Sequence, residues 1–242
     1  MKNNSTIAII GAMDCEIETF KSLLKDIEEV DYCDFTVFIG KINNNSIILA
    51  KSGVGKVNAA LNTQYIIDNY KPYYIINTDV AGGIGKELNV GDIVIADKLV
   101  HHDFDVTALG YAKGYICNGI EPQKPTYFYC DNELVKNFVN VSKGLNNEIG
   151  VHIGTIATGD TFVSSTEKKN ELRNLFNATA TEMEGAAIAQ TATRNNIPFV
   201  VMRAISDLAD GSAPKSLQEV ESTMARFASS VTEKLLTDLV SN

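Results

Sequence analysis

Thr6-Ile-Ala-Ile-Ile-Gly11 is an apolar, β-branched run that stops at a glycine, and Ala12-Met-Asp-Cys-Glu16 follows it at once. Consecutive apolar residues over so short a length predict a strand buried on both faces. Asp14 and Glu16 break the apolar stretch Ile7 to Met13, so it reads as neither a signal peptide nor a membrane span. The carboxylates instead sit where a buried strand hands over to its loop. In α/β proteins that is where ligands bind.

Further runs of the same kind lie along the chain. Residues 36–42 and 46–51 flank Asn43-Asn44-Asn45 and predict a hairpin. After Gly53-Val-Gly55, the residues Val57, Ala60, Leu61 and Tyr65 recur at helical spacing. Pro72 precedes a buried strand from Tyr73 to Thr78, and Gly91–Ala96, Val151–Thr158 and Phe199–Ile205 read as three more. Ser164/Glu167, Thr181/Glu184 and Ser216/Glu219 fit the capping box that opens a helix. A closing helix carries Leu217, Val220, Met224, Phe227 and Val231 on one stripe. Strands interleaved with helices predict an α/β fold, a central mixed sheet flanked by helices on both faces. No repeat, low-complexity segment or linker divides it, so residues 1–242 read as one domain.

Composition narrows the function. Hydrophobic residues make up 45% and charged residues 21% of the 242, which is globular, and the formal net charge is −9. With no lysine or arginine cluster, neither nucleic acid nor an anionic membrane is expected as a partner. Cys15, Cys33, Cys117 and Cys130 are scattered, without histidines at zinc-ligand spacing. They read as reduced thiols of a cytoplasmic protein, and neither a metal nor a cofactor is expected.

Polar groups gather at the strand ends, each with two readings. Gly82-Gly83 is either a turn or a ligand cradle. Glu184 is a capping residue or a ligand. Ser206-Asp207 caps a turn or does chemistry, and Glu16 sits in a first helical turn, where negative charge is favoured in any case. His101 and His102 read as ordinary residues of a polar loop. No single signal decides between these readings; their order along the chain does.

That order resembles the 5′-methylthioadenosine/S-adenosylhomocysteine nucleosidases of the purine nucleoside phosphorylase superfamily, from Ile7 to about Leu239. The resemblance rests on I-G-A-M-x-x-E (Ile10 to Glu16), K-S-G-V-G-K-V (Lys51 to Val57) and H-D-x-D-V-T-A-x-G-Y (His102 to Tyr111). It continues in T-G-D-x-F (Thr158 to Phe162), E-M-E-x-A-A-I-A (Glu182 to Ala189) and V-x-R-A-I-S-D-x-A-D (Val201 to Asp210). It implies a nucleoside-phosphorylase-like, partly closed sheet and hydrolysis of an N-glycosidic bond to adenine. Asp207, helped by Ser206, matches the acid that protonates adenine N7, and a free aspartic acid, at a pKa of about 3.9, would need its site to raise that value. Glu16 matches the base for the attacking water, with Arg203 to orient it. Glu184, beside Met183, matches the acceptor for the ribose hydroxyls. Phe162 would stack on the purine, the Val163 backbone would read its edge, and Val54 with the Ala81-Gly82 backbone would line the pocket. In this family a second subunit completes the groove for the 5′ substituent. The matching residues are Leu217 from one chain, with Val106 and Leu109 from the other, so a homodimer is implied.

One departure stands out. The family reads N-T-G-[S/V]-A-G-G where this chain has Asn77-Thr78-Asp79-Val80-Ala81-Gly82-Gly83. A glycine there suggests positive φ or a close backbone approach, and a carboxylate near Glu16 would raise pKa values by like-charge repulsion. Two rivals to hydrolysis follow. A phosphorylase needs a basic phosphate pocket, but this chain has no arginine before Arg173, the others being Arg194, Arg203 and Arg226. A nucleoside-binding protein that has lost turnover is the other, motivated by Asp79.

Overall fold

The computed structural model of the chain describes residues 6–42, 45–116, 121–145, 149–211 and 230–234. The opening strand is as expected: β1 (Thr6–Gly11) is buried from Ile7 onward. It lies between two parallel neighbours, β4 (Asn45–Lys51) and β5 (Tyr74–Gly83). Beyond β4 the sheet continues antiparallel through β3 (Phe35–Ile42) to β2 (Lys25–Tyr32). The sequence reading had no β2. Its residues, K-D-I-E-E-V-D-Y, are almost all exposed, and a charged edge strand carries little of the hydrophobic alternation that marks a half-buried one.

On its other side β5 pairs in parallel with β10 (Phe199–Asp207), which runs antiparallel to β6 (Ile93–His101). From β6 the order passes through parallel β8 (Val151–Thr158) to parallel β9 (Ala178–Glu182). β9 then returns to β5, where Gly82 faces Thr181 and Gly83 faces Ala180. Five strands therefore close on themselves, β5-β10-β6-β8-β9, while β1-β4-β3-β2 extends from β5 as an open wing. The mixed, partly closed sheet is borne out. A short β7 (Phe128–Tyr129) adds to β6.

Helices α1 (Asp14–Leu23), α2 (Lys56–Tyr70), α3 (Asn132–Leu145), α4 (Thr166–Phe176) and α5 (Gly185–Arg194) pack on this sheet. One apolar cluster joins Ile9, Phe20, Leu49, Ile66, Ile95 and Val201 across it. Each such side chain, fully buried, contributes about 1.5–3 kcal/mol. No helix among the described residues is long and apolar enough to cross a membrane.

Several boundaries move, for physical reasons. β5 runs on through Gly83, so Gly82-Gly83 is strand rather than turn. β6 extends to His101, which places His101 at a strand end and buries both His101 and His102. Thr181 lies inside β9, where its Oγ1 donates to Ala157 O at 3.0 Å, so it opens no helix. The N-cap of α4 is Ser165, whose Oγ accepts from Lys168 N, one residue beyond the expected Ser164. In α2 the buried residues include Ala59, Thr63 and Ile66, whereas Val57 and Leu61 are 69% and 61% exposed. Of the four residues at helical spacing, Ala60 and Tyr65 pack against the core, while Val57 and Leu61 face outward. Ser216/Glu219 and the closing stripe from Leu217 to Phe227 lie outside the described residues; Val231 is described and is buried.

Candidate active site

The ends of β1, β5, β9 and β10 converge on a cavity of about 210 Å³. Ala12, Met13, Val54, Asp79–Gly82, Phe162, Thr181–Glu184, Ser206 and Asp207 line it. Val163, buried, lines an adjoining recess with Gly82, Phe162, Met183 and Asp207. The residues predicted from five separate motifs are thus brought together. Glu16, Arg203, Val106 and Leu109 are not among the lining; the first two are buried, and Leu109 is 72% exposed. Leu217 lies outside the described residues.

Asp207 is aimed by the strand that carries it. The register between β10 and β5 shifts between Ile205 and Asp207, so that Asp207 comes opposite Gly82. Such an irregularity re-aims a side chain at the end of a ladder. Two donors then fix the carboxylate: Ser206 Oγ to Oδ2 at 3.0 Å and Ala209 N to Oδ1 at 2.7 Å. Gly82 must stay small, because a Cβ there would lie 3.2 Å from Asp207 Oδ1 and 3.0 Å from Ala209 Cβ.

Glu16 is a buried capping residue of α1, set behind the cavity wall. Its Oε2 accepts from Ala12 N at 2.6 Å and from Met13 N at 2.9 Å, turning the carboxylate back toward the strand end. Two residues of the cavity wall are therefore the ones that hold it. The buried Asp79 carboxyl accepts from Val80 N through Oδ1 at 2.6 Å. Burial, and then the charge of Glu16, push the Asp79 carboxyl well above the usual carboxylate range. Asp79 is absent from the residues with positive φ. The expectation that glycine at this place meant left-handed backbone is corrected: position 79 is ordinary strand, so aspartate costs no backbone strain.

Glu184 opens α5 and reaches across to the glycine loop before α2, where Gly55 N donates to its Oε1 at 2.6 Å. Gly55 adopts φ 98°, a conformation that suits glycine and that aims its N–H at the carboxylate. Burial, then the charges of Asp79 and Glu182, push Glu184 up to about 8. The capping expected of the Thr181/Glu184 pair is done instead by Glu182, whose Oε2 accepts from Glu184 N at 3.0 Å and Gly185 N at 2.7 Å.

Arg203 serves the framework behind the cavity. Fully buried, it donates from Nη2 to Asn77 Oδ1 at 2.6 Å and to Glu182 Oε2 at 2.5 Å. Burial alone would raise Glu182, but the guanidinium and the Thr158 hydroxyl hold it below its usual value. Arg203 is the counter-charge of Glu182, of Asp79 and of Glu184. Asn77, Thr158 and Glu182 went unassigned from sequence. Their signal was there, since each immediately precedes or opens a motif, but only their mutual contact shows what they do. Gly159 explains the T-G-D motif in the same way: a Cβ there would come within 2.4 Å of the His102 ring. Burial lowers His102 to about 4, which leaves it a neutral packing residue. No group of His, Cys, Asp and Glu among the described residues could hold a metal ion.

A mixed sheet closed through β5, with Asp79, Glu182, Glu184 and Asp207 lining a cavity at its strand ends, defines a phosphorylase-type fold. The phosphorylase superfamily model matches residues 6–241. A 5′-methylthioadenosine/S-adenosylhomocysteine nucleosidase of Staphylococcus haemolyticus is 41% identical over 231 residues, covering 95% of this chain and 98% of the relative. The Neisseria meningitidis nucleosidase of that name, in complex with methylthio-immucillin-A, superposes with a TM-score of 0.89 at 39% identity, over 97% of this chain and 99% of the other. The S-adenosylhomocysteine nucleosidase of Streptococcus pyogenes, in complex with 5-methylthiotubericidin, gives 0.90 at 35% identity over 98% of each chain. The chain belongs to the 5′-methylthioadenosine/S-adenosylhomocysteine nucleosidase family of the phosphorylase superfamily.

Proposed function

We propose that this chain hydrolyses the N-glycosidic bond of 5′-methylthioadenosine and S-adenosylhomocysteine, releasing adenine and the 5′-thioribose product. The observation that carries this reading is the charge of the cavity. Asp79, Glu182, Glu184 and Asp207 line it, and neither lysine nor arginine does so among the described residues. Arg203 is spent on Asn77 and Glu182, and Arg173 donates to Ile84 O at 3.0 Å. A phosphate dianion would find no basic group in this lining to hold it, whereas neutral water needs no counter-charge. Hydrolysis is favoured over phosphorolysis on that ground.

In this mechanism the purine lies against Phe162 and Val163, and Glu184 accepts from the ribose hydroxyls beside Met183. Asp207 gives its proton to N7 as the C1′–N9 bond breaks and the electron pair leaves with the base. Water adds to C1′ from the opposite side, and its proton passes to Glu16. Two carboxyl groups flanking a glycosidic carbon follow the logic of inverting sugar hydrolases. The test is to incubate the protein with 5′-methylthioadenosine, with and without phosphate, and follow free adenine. Release without phosphate is expected. Phosphate dependence would make the chain a phosphorylase, and binding without release a nucleoside-binding protein.

Assembly is part of the same reading. Val57, Ala60, Leu61, Phe104 and Ile116 line one open depression beside the cavity loop, and Val57, Leu61 and Leu109 are well over half exposed. Apolar surface of this kind marks an interface. A two-fold homodimer would cover it and bring Val106 and Leu109 of one subunit to the 5′ groove of the other. A cytoplasmic setting fits Cys33 and Cys130, both free thiols.

A further inference from the structure

Gly55 is the N-cap of α2, and a glycine has no side chain with which to cap a helix. The first bond inside the helix runs from Ala59 N to Gly55 O at 3.1 Å, so the N–H groups before it need partners elsewhere. Two consecutive ones find carboxylates from distant parts of the chain. Gly55 N donates to Glu184 Oε1 at 2.6 Å, and Lys56 N donates to Asp160 Oδ1 at 2.8 Å. The first turn of α2 carries no acidic residue of its own, so Asp160 also brings the negative charge that a helix N-terminus favours. Asp160 is held in turn. Its own N–H donates to Asp103 Oδ2 at 2.9 Å, and Asp103 Oδ1 accepts from Lys56 Nζ at 2.6 Å. The start of α2, the segment after β8 and the segment after β6 are thereby closed into one ring. The sequence reading gave Asp160 no role, although it stands in the T-G-D-x-F motif.

We propose that Asp160 is a positioning residue for the sugar-binding carboxylate: by capping α2 at Lys56 N it fixes where the Gly55 N–H points, and that N–H holds Glu184 in place. The inference rests on the reading of Glu184 as the acceptor for the ribose hydroxyls. Gly55, at φ 98°, is a residue whose backbone has little of its own to fix its direction. Asp160 supplies what the loop lacks. A Cβ on Gly55 would lie 3.3 Å from Asp160 Oδ1, so glycine is also what lets the two approach. Asp160 is exposed and is not among the cavity lining, so its replacement leaves the groups of the cavity itself in place. The charged groups that face Glu184 are Asp79 on β5, Glu182 at the end of β9 and Arg203 on β10. Beyond the glycine loop stand Lys56 and Asp103, paired with each other.

The sign of one shift separates a cap from a mere charge. Burial raises Glu184, and the Gly55 N–H opposes it by favouring the ionised form. In Asp160→Ala the loop loosens and that donor weakens. The Glu184 midpoint should then rise from about 8 by about one pH unit, the worth of a hydrogen bond to a charged group. Removing a nearby negative charge would by itself move it the other way. Asp160→Asn keeps an oxygen for Lys56 N, so there the midpoint should not rise. The assay is the infrared stretch of the protonated carboxylic acid that Glu184→Gln removes, followed against pH in each background. A midpoint that stays or falls in Asp160→Ala, or rises equally in Asp160→Asn, overturns the proposal. Asp160→Ala should also lower kcat/KM for 5′-methylthioadenosine by about tenfold, the cost of a misplaced positioning group. Its calorimetric affinity for adenine, which has no sugar, should be unchanged. Equal losses for both would mean general damage to the cavity and would overturn the proposal too. Glu184→Ala separately tests the underlying reading: an unchanged kcat/KM there would remove Glu184 from sugar binding, whatever the infrared titration shows.

Discussion

Glu184→Gln turns the electrostatics of the cavity into a stability measurement. Glu184 is buried, and its carboxyl is raised from 4.5 to about 8 by burial first and by Asp79 and Glu182 next. A raised carboxyl keeps its proton in the folded state after the unfolded chain has released it. Its contribution is therefore fully present below pH 4.5 and is lost as pH rises through about 8. Within that window the folded protein binds one proton more, and stability falls by about 1.4 kcal/mol per pH unit from this group, up to about 5 kcal/mol in all. Glutamine keeps the Oε1 acceptor for Gly55 N, which now lies 2.6 Å away, but cannot ionise. Asp79 adds a slope of the same sign, so the quantity to follow is the difference between variant and parent. The chain has no tryptophan, which makes urea unfolding by far-ultraviolet circular dichroism the suitable assay. The variant should match the parent near pH 5 and exceed it by several kcal/mol near pH 8. A difference that stays constant between those values would refute the assignment of a neutral Glu184 in the empty cavity.

Three further outcomes follow from the same geometry. Asp207→Asn should keep nucleoside binding and lose adenine release by about 10²–10⁴-fold, the range of a positioned proton donor, measured by steady-state kinetics beside equilibrium binding. Gly82→Ala, which brings a Cβ to 3.2 Å from Asp207 Oδ1, should lower kcat by about tenfold or more while binding weakens less, since an ångström of misplacement at the acid is costly; unchanged kcat would show that the wall gives way freely. Leu109→Asp, at a residue 72% exposed, should weaken self-association in light scattering and lower activity with it. A fully active monomer would show that one chain completes its own site.

The parts legible in sequence are those whose physics is local. β1, β8 and β10 are apolar runs, and a buried strand needs nothing else to announce itself. β5 was read only to Thr78 because Asp79 and two glycines look like a loop. It continues to Gly83 because β10 and β9 pair with it there, and tertiary pairing overrides propensity. β9, A-T-A-T-E, is short and ends in the residues of a capping signature, so the hydroxyl of Thr181 was given to a helix when it belongs to a strand. In α2 the helical spacing holds, but its residues divide: Ala60 and Tyr65 pack against the core, while Val57 and Leu61 are exposed. Periodicity reports that a face is apolar. It does not say whether the chain itself or another copy covers that face.

The site residues were legible as a set because one strand organises them. β5 pairs with β1, β10 and β9, and each neighbour ends in a group that the chemistry needs: β1 leads to Glu16, β10 ends in Ser206-Asp207, and β9 leads through Glu182 to Glu184. Since β1 and β10 both pair with β5, the proposed base Glu16 and the proposed acid Asp207 are delivered from strands on its two sides. The closure of the barrel does the rest: Gly82 faces both β10 and β9, and a side chain there would press on Asp207.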